Sequence, residues 1–77
     1  MSKLPTIKTR ELLRVLLRIG FFKHHQIGSH AQFKHKDGRR ITVSIHSGRD
    51  VPNGTLRGII YDIKISVDDF IRVLNKG

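Results

Sequence analysis

The chain has 77 residues, 38% of them apolar and none of them cysteine, which limits it to one domain with a modest core and excludes disulfides and thiolate chemistry. No apolar run is long enough to cross a membrane and residues 1–13 lack a signal-peptide core, so we expect a cytoplasmic protein that does not associate with membranes. Lysine and arginine number 15 against 6 acidic residues, and the whole net charge of +9 lies within residues 1–49, which predicts a partner such as nucleic acid or an acidic protein.

Three segments have the apolar spacing i, i+3, i+4, i+7 that is typical of an amphipathic helix. They are Leu12/Val15/Leu16/Ile19, Leu56/Ile59/Ile60/Ile63 and Val67/Phe70/Ile71/Leu74. The first helix begins near Thr6 or Thr9, between which the sequence does not decide, and ends at Gly20, a common residue just past a helix. The second follows the helix-initiating segment VPNGT, and the third opens with Ser66 and Asp69 at the spacing of a capping box.

A change of period between the first two helices predicts a β-hairpin around the turn sequence KDG. A two-residue loop, Asp37–Gly38, would set Phe33 opposite Thr42 and mix apolar with polar side chains on both faces. A three-residue loop over residues 36–38, with its glycine in the left-handed conformation, sets Phe33 opposite Ile41. Burial of the apolar side chains favours the second register.

The second register assigns side chains to the two faces of the hairpin. Ala31 lies opposite Val43 on the apolar face. His30 lies opposite Ser44 on the polar face, and His46 follows one step further along. The histidines are therefore expected to be accessible.

A further short strand is expected around residues 23–27, before the hairpin. The chain is then predicted to be a single α+β domain, residues 1–77, with the order α-β-β-β-α-α and a three-stranded antiparallel sheet. Helices cover the apolar face of this sheet, and the polar face stays open.

The segment GSHAQFKHKDGRRITVSIH, residues 28–46, concentrates histidines and cations on this open face and its turn. No zinc-finger or HExxH spacing is present, no carboxylates are paired in the basic half, and no acid is placed to orient a Ser-His pair, so neither a metal site nor a serine hydrolase is expected. Imidazole and cations together suit the attack of an RNA 2′-hydroxyl on its own phosphate, with His30 taking or giving the proton. Gly28, two residues earlier, is expected to allow another backbone to approach closely.

Four more residues of this segment are candidates for contact with RNA. Lys34 and His46 are candidates for phosphate contact or for the second proton transfer. Arg39 and Arg40 are candidates for docking the RNA chain.

A second basic surface is predicted on the first helix, where Arg10, Arg14 and Arg18 recur every four residues. Like charges at this spacing are mildly unfavourable. The stripe is therefore either a solvated face or a surface for an RNA backbone or an acidic protein. The four phenylalanines and Tyr61 are expected in the core or at an edge, so no base-stacking platform is predicted.

The motifs GSH, HKDGR, IHSG, NGTLRGII and SVDDFI, in this order and spacing, resemble the HicA family of bacterial toxins over nearly the whole chain. The resemblance implies a fold similar to double-stranded-RNA-binding domains and a ribonuclease that cleaves mRNA without a metal or other cofactor. The essential histidine of the family's G-[SG]-H motif maps onto His30, with Gly28 and Ser29 before it, and Ser29 is counted among the candidate RNA contacts. The family's usual partner is the antitoxin HicB, so we expect a monomer that forms a hetero-oligomer with its antitoxin.

Two positions depart from the family pattern. Ser44 stands where proline is frequent, which keeps a backbone donor in the last strand, and Ala31 stands where many members have a second histidine. His24, His25 and His35 receive no predicted role. Two other functions remain open: a non-catalytic RNA-binding module of the double-stranded-RNA-binding type, and a subunit that mainly binds an acidic partner.

Overall fold

The predicted order of helices and strands is confirmed by the computed structural model of the protein, which describes residues 3–46 and 48–76. The elements are α1 (Thr9–Arg18), β1 (Phe22–Ile27), β2 (His30–Lys34), β3 (Arg40–Ser44), α2 (Asn53–Ile63) and α3 (Val67–Leu74). The strands form one antiparallel sheet in the order β1-β2-β3, and the fold is α+β. No helix within the described ranges has the length and apolarity that a bilayer-crossing segment needs.

The register of the β2–β3 hairpin is the one that burial favoured. Phe33 lies opposite Ile41. The backbone N–H of His35 donates to the carbonyl of Arg39 at 2.9 Å and so closes a three-residue loop. Gly38 in this loop has φ +100°, the left-handed conformation that the register requires.

One apolar core lies between the helices and one face of the sheet. Its side chains from β2 and β3 alternate with exposed ones, and the helical side chains come from the predicted apolar stripes. The buried members of these stripes and strands are Leu12, Val15, Leu16, Ala31, Phe33, Ile41, Val43, Leu56, Ile59, Ile60, Ile63 and Phe70. Burial of this set stabilises the domain, at about 25 cal/mol for each Å² of apolar surface removed from water.

The start of α1 ties the helix to the loop that follows β3. The helix begins at Thr9, where the backbone N–H of Lys8 donates to Glu11 Oε1 at 2.9 Å. Thr9 is not the capping residue. Its hydroxyl instead donates to the carbonyls of His46 at 3.3 Å and Arg49 at 3.4 Å, which holds the loop against the helix.

The end of α1 confirms the role predicted for Gly20. The backbone N–H of Phe21 donates to the carbonyl of Leu16 at 2.9 Å, and that of Gly20 donates to Leu17 at 3.1 Å. This pair of bonds, with φ +103° at the glycine, is a Schellman motif. It turns the chain directly into β1.

The third helix packs on the first. Phe70 is fully buried, and Ser66 caps the helix by accepting the backbone N–H of Asp69 at 2.9 Å, as its position predicted. Near the other end, an Arg18 guanidinium N–H donates to the carbonyl of Val73 at 2.9 Å. The helix therefore contributes a buried side chain to the core and a hydrogen bond that joins it to α1.

One expectation about aromatic side chains is wrong. Tyr61 is 81% exposed on α2 rather than buried in the core or placed at a sheet edge. Its neighbours Ile60 and Ile63 are the residues of this turn that face the core. Tyr61 lies between them in sequence and projects from the opposite side of the helix, because a helix turns about 100° per residue.

Candidate functional site

The uncovered face of the sheet carries three of the predicted site residues, His30, Lys34 and Arg40. In β2 and β3 buried and exposed residues alternate, and residues directly opposite each other on antiparallel strands share a face. We call this surface the open face. From the pairings, its members are Phe22, His25, Ile27, His30, Gln32, Lys34, Arg40, Thr42 and Ser44.

These residues form three rows across the sheet, each with one residue from each strand. The loop-end row, the middle row and the turn-end row are Ile27–His30–Ser44, His25–Gln32–Thr42 and Phe22–Lys34–Arg40. Neighbouring residues in a row are about 5 Å apart, and adjacent rows are about 7 Å apart. His30 in the loop-end row is therefore two rows away from the cations Lys34 and Arg40 in the turn-end row.

An irregularity in the edge strand β1 places Phe22, His25 and Ile27 on the open face. Its register shifts between Lys23 and His25, which takes His24 out of the alternation. Lys23 and Gln26 consequently lie on the helix side, where Lys23 Nζ donates to Gln26 Oε1 at 3.0 Å. All six residues of the strand are exposed, so the helices do not cover it.

His30 is exposed at the first position of β2. The loop before it has two residues, Gly28 and Ser29, and Gly28 has φ +57°. Nothing lies within 4 Å of the position that a Cβ on Gly28 would take, so the expectation of a close backbone approach there is wrong. The glycine is needed because a two-residue hairpin requires a positive φ at its first position.

The backbone around His30 is held on both sides. Its Cα partners are Ile27 and Ser44, and the N–H of Ile45 donates to the carbonyl of Ser29 at 2.6 Å. The bond that flanks this pair is donated by Ile45, and not by Ser44, the position where the family often has proline. Ala31, the other departure, is fully buried as predicted.

His46 lies just beyond this row, at the same end of the sheet. It is exposed, and its carbonyl accepts the Thr9 hydroxyl and the backbone N–H of Arg49, the latter at 3.1 Å. With Ser44 it lines a groove of about 300 Å³ between β3 and the start of α2. Its neighbour Ser47 lies outside the described residues.

Lys34 and Arg40 face each other in the turn-end row. Neither forms an ion pair within residues 3–46 and 48–76. Like charges directly opposite on a sheet are unfavourable, so an anion bound between them would relieve their repulsion. Together with Gln32, Thr42 and Asp62 they line a shallow depression of about 480 Å³.

The guanidinium of Arg39, a predicted RNA contact, is bonded within the fold. Its Nε donates to Asp37 Oδ2 at 2.8 Å, another N–H donates to the carbonyl of Ile63, and its central carbon lies 5.2 Å from the ring centre of Phe21. The side chain is only 22% exposed. Hydrogen bonds from the Arg39 backbone and side chain hold the pKa of Asp37 below 3.8, its usual value.

His35 has a structural position that sequence reasoning missed. Its Nε2 lies 2.9 Å from the carbonyl of Ile19, at the end of α1, and its Nδ1 accepts the backbone N–H of Asp37 at 3.1 Å. Its ring meets that of Phe21 edge-on at 5.1 Å. The bond to Ile19 and the ring contact fasten the β2–β3 turn to the end of α1, and the bond from Asp37 holds the turn itself. Only tertiary packing reveals these contacts.

The arginines of α1 are not part of the open face. Arg14 and Arg18 are exposed, but α1 belongs to the helical layer on the other side of the sheet. One Arg18 N–H is already donated to Val73. Any contact that these two arginines make with RNA is separate from the surface around His30.

The histidines do not gather into a metal centre. Among the described residues no three His, Asp or Glu side chains come together as candidate ligands. The polar groups that share the open face with His30 are imidazole, amide, hydroxyl, ammonium and guanidinium. These suit contact with a nucleic-acid backbone and proton transfer at a phosphate.

Fold and surface together define a small α+β domain of the double-stranded-RNA-binding type with a basic, exposed sheet face. The family model "HicA toxin of bacterial toxin-antitoxin" matches residues 9–65, from the first residue of α1 to just beyond α2. The chain belongs to this family of toxins from bacterial toxin–antitoxin systems. No curated protein matches it as a relative.

Proposed function

We propose that the protein is an endoribonuclease toxin that cleaves mRNA, with His30 as general acid or base. The observation that carries the proposal is the exposed position of His30 on the open face of a HicA-family fold. Lys34 and Arg40 lie on the same face about 13 Å along the sheet from His30, where they can hold phosphates of the same RNA chain. The substrate would be reached in the cytoplasm.

The reaction that fits these groups is transfer of the phosphate within the RNA chain. The 2′-oxygen loses its proton to an imidazole and forms a bond to phosphorus, while the bond to the 5′-oxygen breaks and that oxygen gains a proton. The products are a 2′,3′-cyclic phosphate and a 5′-hydroxyl. General acid–base help of this kind contributes about 10²–10⁴-fold to the rate.

Two proton transfers are needed, and the same end of the sheet offers two imidazoles. His30 is assigned one transfer, and His46 is the candidate for the other or for a phosphate contact. Ser29, beside His30, is a candidate for a hydrogen bond to the RNA. Lys34 and Arg40 would offset negative charge on the phosphates.

The toxin would be neutralised by an antitoxin of the HicB type. Family membership supports an antitoxin partner. An excess positive charge of +9 favours a partner with acidic surface. The assembly would then be a hetero-oligomer, and the toxin alone a monomer.

The test compares the wild type with His30→Ala and with His24→Ala. His24 is the matched control because it is an exposed histidine at the bulge of β1, outside the three rows of the open face. We expect His30→Ala to lose at least about 100-fold in cleavage rate while it still binds RNA, and His24→Ala to cleave as the wild type does. Cleavage that survives in His30→Ala would overturn the assignment.

The two rival functions have their own signatures. A non-catalytic module predicts equal RNA binding by the wild type and His30→Ala with cleavage by neither. A subunit that mainly binds an acidic protein predicts no growth arrest on induction. The toxin predicts growth arrest that co-expression of the adjacent antitoxin gene relieves.

A further inference from the structure

Two large apolar side chains stand exposed on the open face. Phe22 is 49% exposed and Ile27 is 69% exposed. Phe22 directly follows Phe21, which is 2% exposed, so one ring of the pair enters the core and the other faces outward. An exposed aromatic ring on an uncovered sheet is available for contact with a partner.

The neighbours of Phe22 indicate the chemistry of that partner. Phe22 lies opposite Lys34, and Lys34 lies opposite Arg40, so one row combines an aromatic ring with two cations. A stacking ring beside cations that track a phosphate backbone is the combination by which proteins hold single-stranded nucleic acid. An apolar protein partner would instead desolvate two cations that form no ion pair within the described residues, although Asp62 lines the same depression.

The middle row adds groups that can bond to bases. Gln32 and Thr42 line the depression of about 480 Å³ together with the two cations. An amide and a hydroxyl offer both donors and acceptors to exposed base edges. Next along the sheet comes the loop-end row, where Ile27 lies opposite His30.

We propose that the open face binds single-stranded RNA, with one base stacked on Phe22 and the adjoining phosphates held by Lys34 and Arg40. The chain then runs along the sheet toward His30, which is four residues from Lys34 along β2 and so about 13 Å away. The delivery of the RNA chain to His30 rests on the proposed function, whereas the binding of RNA to the open face does not. Base-paired RNA is excluded from this mode because its bases are already stacked and its edges are paired.

This inference revises the expectation that the chain has no base-stacking platform. The fold's likeness to double-stranded-RNA-binding domains would favour duplex RNA, whereas the exposed ring favours unpaired bases. Because Phe22 lies about 13 Å from His30 along the sheet, it is a positioning residue for substrate rather than a catalytic one. Its loss should therefore weaken substrate binding and leave the chemical step intact.

The binding test uses the His30→Ala protein, in which RNA is expected to stay uncut. A labelled 12-nucleotide single strand and the duplex of the same sequence are titrated with this protein by fluorescence anisotropy. We expect the single strand to bind at least about 10-fold more tightly, and Phe22→Ala to weaken that binding by about 5- to 150-fold, the range for loss of one stacked base. Phe22→Tyr, which keeps the ring, should restore it.

The matched control is Tyr61→Ala. Tyr61 is 81% exposed on α2, outside the open face, so this variant removes an exposed ring of similar size and should leave RNA affinity unchanged. Far-UV circular dichroism checks that both variants fold. Equal or tighter binding of the duplex would overturn the inference, and so would an unchanged affinity in Phe22→Ala. If Phe22→Ala loses antitoxin binding but keeps RNA affinity, the face is a protein-docking surface instead.

A cleavage measurement separates this inference from the proposed function. In the otherwise wild-type protein, Phe22→Ala should raise KM by about the same factor as it weakens binding, with kcat within about 3-fold of the wild type. If neither the wild type nor any variant cleaves RNA, but Phe22→Ala still weakens binding of the single strand, the ribonuclease proposal fails and this inference stands. If His30 governs cleavage and Phe22→Ala changes neither KM nor affinity, only this inference fails.

Discussion

Arg39 and Arg40 are adjacent arginines with opposite roles, and replacing each by alanine separates them. Arg40 is exposed on the open face opposite Lys34. Arg39 is 22% exposed and joins the β2–β3 turn to the end of α2 through the carbonyl of Ile63. We expect Arg39→Ala to damage the fold and Arg40→Ala to weaken RNA binding.

The size of the Arg39 effect follows from its contacts. A hydrogen bond from a charged donor contributes about 1.5–3 kcal/mol, and the contact over the Phe21 ring adds about 0.5–1 kcal/mol. The pair with Asp37 adds little, because that carboxylate is largely exposed. The contacts share one side chain and are not additive, so we expect a loss of about 2–3 kcal/mol. A domain of this size has only about 4–12 kcal/mol in total.

The measurement is urea unfolding followed by circular dichroism. With a denaturant slope of about 1 kcal/mol per M, Arg39→Ala should lower the midpoint by about 2 M or more. Arg40→Ala should stay within about 0.5 kcal/mol of the wild type, while its RNA affinity falls and its salt slope drops by about 1. The reasoning is refuted if Arg39→Ala unfolds at the wild-type midpoint and weakens RNA binding more than Arg40→Ala does.

Three further outcomes are expected. Phe70→Ala should lower the free energy of unfolding, measured by thermal unfolding, by about 3–5 kcal/mol, because Phe70 is the fully buried residue of α3. A loss below about 1 kcal/mol would mean that α3 does not complete the core. Gly28→Ala should lower the free energy of unfolding by about 1–2 kcal/mol, because φ +57° strains any residue with a Cβ. It should also lower the cleavage rate by moving His30. A melting temperature equal to that of the wild type would contradict the predicted strain. The lowered pKa of Asp37 means that its carboxylate stabilises the fold above pH 3.8 and that this contribution is lost as pH falls through the lower folded pKa. Asp37→Asn should therefore flatten the acid limb of the urea midpoint measured against pH, and an unchanged limb would show that another group is responsible.

The hairpin register could be predicted from sequence because only one pairing buries Phe33, Ile41 and Val43 on one face. That pairing also placed His30 opposite Ser44, and both positions are as predicted. Burial decides register strongly when one face is apolar and the other is not. The exposure of His30 could therefore be predicted from the sequence alone.

The edge strand could not be predicted in the same way. All six of its residues are exposed, so no alternation of burial marks its faces, and the shift between Lys23 and His25 is invisible in the sequence. The sequence does not show which of the adjacent residues Phe21 and Phe22 is buried. The stacking candidate Phe22 was missed for this reason.

The separation of Arg39 from Arg40 depends on contacts distant in sequence. The carbonyl that Arg39 bonds belongs to Ile63, 24 residues away, and the ring below it belongs to Phe21. Local patterns carry no trace of such contacts. Likewise the sequence placed the start of the first helix near Thr6 or Thr9, but it could not show that the Thr9 hydroxyl bonds to carbonyls about 40 residues later.

The most direct test of His30 as the proton-transfer group is an analysis of RNA ends after cleavage in the presence of a chelator. An imidazole-driven attack by the 2′-hydroxyl predicts fragments that end in a 2′,3′-cyclic phosphate and begin with a 5′-hydroxyl, made by the wild type and not by His30→Ala. Fragments with 3′-hydroxyl ends, or cleavage that stops when divalent ions are removed, would contradict it.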